Sequence, residues 1–156
     1  MSAPVTYLLD TNVLSETRKR QADAGVIAFL EAVDSSALYL SVLTIGELRK
    51  GVAAKRRTDP AAAKALAAWV EGLEFGFADR LLGIDAATAR LWGDWSGDRP
   101  RPVVDTLLAA TAVQHGLTLV TRNTRDVSGL PVKVHNPWAG QGSSCFKCPY
   151  SSLAEQ

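Results

Sequence analysis

Four acidic residues of this chain stand where predicted strands end or helices begin, places that one sheet edge could bring together. Asp10 ends the apolar run Tyr7-Leu8-Leu9, Glu47 follows the apolar "ALYLSVLT", Asp105 opens "VVDTLLAATA", and Asp126 follows "LTLVT" within "TRNTRDV", just after Asn123. Each could have a purely local role: a helix cap for Asp10, a capping box for Glu47, a favourable charge in a helix's first turn for Asp105, a turn for Asp126. Brought together, however, four carboxylates repel one another and raise each other's pKa values unless cations neutralise them. Convergence therefore predicts a divalent metal. Hard carboxylate oxygens with little His or Cys nearby suit Mg²⁺ or Mn²⁺ better than zinc. Such ions keep positions open for water and phosphate oxygens, which suits phosphodiester hydrolysis.

Competing chemistries are poorly served. Cleavage through a ribose 2′-OH calls for histidines, and both of those present sit where a structural role suffices. His115 ends a helix, where its charge complements the dipole, and His135 lies beside the closing "NPW". A phosphatase using Asp10 as nucleophile wants a second Asp two residues on, and that position is Asn12. Cys145 and Cys148 form one C-x-x-C pair with no second pair to complete a zinc site. Their flanks, "GQGSSCFKCPYSSLAEQ", have the Gly and Ser content of a loose tail.

The elements that must position the acids read as alternating strands and helices. Residues 5–9, 37–44, 81–85 and 117–121 are short apolar runs that predict strands, with a last one in "VKVHNPW". "AGVIAFLEAV" carries Val26, Ile27, Leu30 and Val33 at helical spacing. Thr44-Ile-Gly-Glu47 matches S/T-x-x-E and predicts a helix starting there. Pro60 opens a helix whose Leu66, Trp69, Val70 and Leu73 read as a core stripe rather than a binding box. Asp85 caps "AATARLWGDW", "SGDRPRP" is a loop, and Pro102 introduces a helix that Gly116 ends. This alternation predicts an α/β layer fold with a mainly parallel sheet and helices on both faces, where sites gather at the carboxyl ends of strands.

At 156 residues the chain predicts one domain with a substantial core. Its 47% apolar and 21% charged residues are those of a globular protein. No apolar run approaches the roughly 20 residues that span a bilayer, and the N-terminus lacks a signal-peptide pattern, so a cytoplasmic protein without membrane association is expected. Net charge is +1, which gives no global attraction for nucleic acid. Basic residues do cluster, as Arg18-Lys19-Arg20, Arg49-Lys50, Lys55-Arg56-Arg57, Arg99 with Arg101, and Arg122 with Arg125.

The segments "LLDTNVLSE", "LSVLTIGELRKGV", "VVDTLLAATAVQHGLTLVTRNTRDV" and "NPW" resemble PIN-domain ribonucleases, specifically VapC-type toxins of bacterial toxin–antitoxin pairs. The resemblance covers about residues 5–138. It implies a three-layer α/β/α domain, taken as residues 1–138, and leaves unmatched residues 139–156, which their composition marks as a flexible tail. It implies a Mg²⁺-dependent endoribonuclease, with Mn²⁺ able to substitute, acting on tRNA or rRNA and neutralised by a VapB-like antitoxin. Asp10, Glu47 and Asp105 match the first three acids of the family's site. The fourth acid of the family falls either where Asn123 stands or three residues later at Asp126; since the first is an amide here, Asp126 is the negatively charged candidate and Asn123 one to bind metal-bound water. Thr11, Asn12 and Thr121 are placed to orient the carboxylates, while Thr106 stands where a smaller residue is expected. Arg49, Lys50, Arg122 and Arg125, beside the acids, are the candidates to grip RNA phosphates. The family also implies homodimers that pair with antitoxin and reach DNA only through it. A second role follows from the same resemblance: a weakly active or inactive partner in a DNA-binding regulatory complex.

Overall fold

The computed structural model describes residues 3–139, so the expected tail, with Cys145 and Cys148, lies outside the described residues. Five short strands, β1 (Tyr7–Leu9), β2 (Leu38–Ser41), β3 (Leu81–Leu82), β4 (Thr118–Val120) and β5 (Val134–His135), form one sheet in the order β3-β2-β1-β4-β5. Every pairing is parallel. Six α-helices fill the connections: α1 (Thr11–Glu16), α2 (Ala24–Ala32), α3 (Val42–Arg56), α4 (Pro60–Gly76), α5 (Ala86–Ser96) and α6 (Val103–His115).

Alternation along the strands splits the core in two. Leu9 of β1 and Leu38 and Leu40 of β2 point to one face, where Val13, Val26, Leu48, Val52 and Val70 from α1 to α4 cover them. Leu8 of β1 and Leu119 of β4 point to the other, against Leu108, Ala109 and Ala112 of α6 and Trp95 of α5. Both faces of the sheet are thus dry, which is why its strands read as continuous apolar runs rather than as alternating ones. Leu8, Leu40 and Leu108 are wholly buried. The three-layer expectation holds. No helix among the described residues is long and apolar enough to cross a membrane.

Most helix ends follow their local signals. Asp85 accepts from Thr88 N at 2.8 Å, Asp59 precedes Pro60 and accepts from Ala62 N, and Gly116 closes α6 in the left-handed region at φ 67°. One end differs. The helix expected to start at Thr44 starts at Val42, capped by the Ser41 hydroxyl, which accepts from Leu43 N at 3.0 Å. Two N-cap signals overlap here, and Ser41 wins because the strand ends on it. Thr44 is consequently buried inside α3, its Oγ1 without a hydrogen-bond partner among the described residues. Glu47 moves to the second turn, so no capping box accounts for it.

Candidate active site at the sheet switch point

The chain winds from β1 through β2 to β3, then returns to the opposite side of β1 to lay down β4. The carboxyl ends of β1 and β4 therefore lie at the point where winding reverses, the crevice where doubly wound sheets place their sites. Asp10 is the residue after β1 and Thr121 the residue after β4. Backbone pairing locks the two ends together, with Asp10 N donating to Val120 O at 2.9 Å.

Asp10 is 4% exposed and nonetheless a carboxylate. Its Oδ1 accepts from Thr11 N at 2.7 Å, and so it caps α1. Its Oδ2 accepts from the Thr121 hydroxyl at 2.7 Å and from Asn12 Nδ2 at 3.2 Å. The Thr121 Oγ1 also accepts from Asn123 N at 3.0 Å and from Asn12 Nδ2 at 3.4 Å, so its one proton and both lone pairs are engaged. That hydroxyl joins β1, α1 and the loop after β4 on one atom. Burial pushes the Asp10 carboxyl up, partly offset by these donors, and the Glu47 charge pushes it further. Asn12 Oδ1 is left as a buried acceptor without a partner among the described residues.

The other three acids arrive from separate elements. Glu47, on α3, is exposed and held by the Thr11 hydroxyl, which donates to its Oε1 at 2.6 Å. Asp105, in the first turn of α6, is half-buried. Its pKa is pushed up to about 6, first by burial, then by the charges of Asp10, Asp126 and Glu47, with Asn123 pulling it back. Asp126 lies in the 3-10 turn Thr124–Val127 after β4. The other three sequence-predicted acids thus all lie within electrostatic reach of Asp105, and Asn123 bears on Asp105 rather than standing apart. The expected departure at Thr106 turns inward: its Oγ1 donates to Pro102 O at 2.6 Å, bonding back onto the start of α6.

Among the described residues, no three Asp, Glu, His or Cys side chains close on a single point tightly enough to cage an ion unaided. The donor set is still all oxygen, and Mg²⁺ is ordinarily held by one or two carboxylates with water completing its octahedron. Asp10, with both oxygens already oriented, and Asp105, driven toward protonation by its neighbours, fit a cation of that kind.

The basic candidates divide. Lys50 and Arg125 are exposed. Arg49 donates through Nε and Nη2 to Glu74 Oε1 of α4, at 3.3 and 2.9 Å. Arg122 stacks over the Trp138 ring, 5.5 Å from its centroid, and its charge helps hold Glu16 and Asp23 ionised. Both arginines therefore have structural work that a reading by neighbourhood in sequence does not reveal. Glu16 and Asp23, absent from the sequence-based candidates, form a clasp. Glu16 is 6% exposed, bonded to Lys19 at 2.7 Å and accepting from Asp23 N. Asp23 caps α2 through Gly25 N and Val26 N and also accepts from Ala139 N at 3.0 Å.

Beside the acids lies an open pocket of about 270 Å³, lined among others by Thr11, Ser15, Arg18, Glu47, Leu66 and Trp69. The stripe on α4 is thus only partly core: Val70 is fully buried, while Leu66 and Trp69 turn an edge into this pocket. The Arg18 guanidinium stands 5.0 Å from the Trp69 ring centroid.

Fold and site together define a doubly wound α/β protein with a carboxylate cluster at its switch point. The chain belongs to the PIN-domain family, whose profile, described as PIN domain, matches residues 7–128. It is 35% identical to VapC ribonuclease Y4jK of Sinorhizobium fredii over 84% of this chain and 96% of that protein. It is likewise 35% identical to Toxin FitB of Neisseria gonorrhoeae, over 84% of this chain and 97% of that one. The solved structure of FitAB bound to an IR36 DNA fragment superposes with a TM-score of 0.77 at 32% identity, covering 86% of this chain and 96% of the matched one.

Proposed function

We propose that this chain is a Mg²⁺-dependent endoribonuclease toxin held in check by a small antitoxin. The observation that carries the reading is the convergence of Asp10, Glu47, Asp105 and Asp126, from separate elements, at the switch point of the sheet, where burial and the other acids push the Asp105 carboxyl up to about 6. A fold gains nothing by assembling such repulsion unless a cation answers it. Asp10 and Asp105 would hold the ion, with Glu47 and Asp126 completing its surroundings directly or through water. A bound divalent cation supplies an activated water and neutralises the developing charge on phosphate.

The chain's own residues set the geometry. Thr121 and Asn12 fix the rotamer of Asp10, Thr11 holds Glu47, and Asn123 favours the ionised form of Asp105. Orienting groups of this kind typically matter about 10–100-fold for metal affinity. Lys50 and Arg125, exposed near the acids, are available to neutralise RNA phosphates, with Arg49 and Arg122 contributing if they leave Glu74 and Trp138. The target is structured RNA, tRNA or rRNA, and the working compartment is the cytoplasm. The names of the relatives, a VapC ribonuclease and a toxin, support the activity. The DNA-bound FitAB complex supports an antitoxin partner that carries the assembly to DNA.

The same complex favours a second reading, in which the chain acts chiefly as a regulatory partner with little cleavage. Purified chain incubated with total tRNA and rRNA in Mg²⁺, in Mn²⁺ and in EDTA separates the two. Metal-dependent cleavage abolished by Asp10→Ala and by Asp105→Ala is expected. Absence of cleavage in either metal, or cleavage unchanged in both variants, overturns the nuclease reading.

A further inference from the structure

Asp10 is reached by two routes through the structure, and the routes meet. The first runs along α1. Asp10 Oδ1 caps the start of that helix, and Glu16 at its end accepts from Asp23 N at 3.0 Å. Asp23 in turn accepts from Ala139 N at 3.0 Å. The second route runs back from β4. Asp10 Oδ2 accepts from the Thr121 hydroxyl, Arg122 follows Thr121, and the Arg122 guanidinium stands 5.5 Å from the centroid of the Trp138 ring. Trp138 and Ala139 are neighbours in the chain, so the circuit of contacts begins and ends on Asp10.

Residues 136–139 form the strap that closes this circuit. Asn136 Oδ1 accepts from Trp138 N at 3.0 Å and turns the chain, and the indole, 6% exposed, joins the core on the α1–α4 face. Gly25 makes room beneath, because the backbone of Pro137 and Ala139 fills the space that a Cβ would take. What flanks Arg122 links the strap to the acids. Thr121 before it carries the hydroxyl that binds Asp10. Asn123 after it bears on Asp105 and donates its N–H to that same hydroxyl at 3.0 Å. These three residues lie between β4 and the 3-10 turn that starts at Thr124. Backbone bonds hold the two ends of the link, from Thr121 N to His135 O at 3.0 Å and from Asp126 N to Asn123 O at 3.2 Å. At its middle, the Arg122 side chain rests on the indole, the aromatic face that attracts a cation best.

We infer that the strap is the back support of the acid cluster, and that Trp138 is a positioning residue acting through Arg122 on Thr121 and Asn123, and so on Asp10 and Asp105. Cation affinity at the acids then depends on packing at the other end of the described chain. That dependence rests on the proposed Mg²⁺ site, whereas the mechanical coupling does not.

The full chain is tested without RNA, below its melting temperature and at fixed pH. In EDTA, amide hydrogen exchange followed by NMR reads Thr11 and Asn123, whose N–H groups donate to Asp10 Oδ1 and Thr121 Oγ1. Calorimetric titration with Mn²⁺ reads the affinity of the acids. Arg122→Met removes the stack from an exposed position, and Trp138→Leu removes it from the buried side. Each should speed exchange at both amides about 2- to 10-fold and lower Mn²⁺ affinity about 10–100-fold. The sign discriminates, because losing a positive charge near a cation site raises affinity by charge alone. Weaker binding in Arg122→Met therefore reports lost support. Trp138→Phe keeps an aromatic face and should keep most of the affinity. The double variant should lose no more than the worse single one, since both cut the same contact. Val70→Ala, which opens the same core from α4, should lower the melting temperature and leave both readouts as in wild type. Where Trp138→Leu does not fold, Arg122→Met decides alone. Unchanged exchange or undiminished Mn²⁺ affinity in Arg122→Met, losses that add in the double variant, or equal losses in Val70→Ala overturn the inference and leave Trp138 a core residue only. The metal reading fails separately: wild type that binds no Mn²⁺ removes it, and exchange at Thr11 and Asn123 then decides the strap by itself.

Discussion

Replacing Asp105 with Asn should make the metal-free protein more stable while removing its activity. The ionised carboxyl is disfavoured in the folded state, where its pKa stands at about 6, against an ordinary 3.8. A shift of about two units corresponds to about 3 kcal/mol. Half-burial leaves the group partly screened by water, which brings the expected contribution to about 1–2 kcal/mol. Because the folded pKa is the higher one, the cost is fully present above about pH 6 and disappears as pH falls below about 4. In EDTA at about pH 7.5, Asp105→Asn should therefore raise the melting temperature by about 2–8 °C. The advantage should shrink through about pH 5 and vanish near pH 4. Saturating Mg²⁺ should reverse the order, since wild type gains about 2.7 kcal/mol at a hundredfold excess over Kd and the variant gains much less. Thermal melts at three pH values, each with EDTA and with Mg²⁺, decide the matter. A variant no more stable than wild type in EDTA above the folded pKa, or a gain that does not depend on pH, refutes the argument that the acids are mutually strained.

Other substitutions probe the supporting frame. Thr121→Ala removes the one hydroxyl that joins Asp10, Asn12 and Asn123, and calorimetric titration with Mn²⁺ should show affinity lowered about 10–100-fold, with the fold retained. Gly25→Ala would set a Cβ 2.2 Å from Pro137 O and 2.7 Å from Ala139 N, and urea melts should register a loss of about 1–3 kcal/mol. Gly46→Ala, where a Cβ meets nothing within 4 Å, serves as its control and should show no loss. Lys50→Gln and Arg125→Gln should each weaken RNA binding and lower the slope of log K against log salt by about 1, as read from binding isotherms at several salt concentrations.

Local features are legible in the sequence, and assembled ones are hidden from it. The strand stop at Asp10, the Asp85 cap, the Pro102 entry and the Gly116 exit are each decided within a few residues, and the structure keeps all four. The start of α3 differs because Ser41 and Thr44 both carry N-cap chemistry, and only the end of strand pairing chooses between them. The acids can be singled out because carboxylates next to buried strands are costly. Their partners cannot be ranked that way. The Thr121–Asp10 bond joins residues 111 apart, and the Arg49–Glu74 pair depends on how α3 packs on α4. The clasp of Asp23 on Ala139 spans 116 residues and involves a backbone amide, which has no side-chain signature to read.

Asp10 serves two masters: one oxygen caps α1, and the other anchors the carboxyl ends of β1 and β4. Asp105 has no such second duty and carries a cost when ionised. The difference bears on genetics. In cells selected for surviving this chain's expression, changes at position 10 should remove a proposed metal-holding carboxylate and a structural anchor together, and so lower the yield of folded protein. Changes at position 105 should remove the proposed activity and relieve repulsion, leaving abundant, folded, silent protein able to occupy an antitoxin. Survivors that retain full-length protein should therefore be enriched at 105 over 10, and in them the silenced chain would titrate antitoxin away from any active copy.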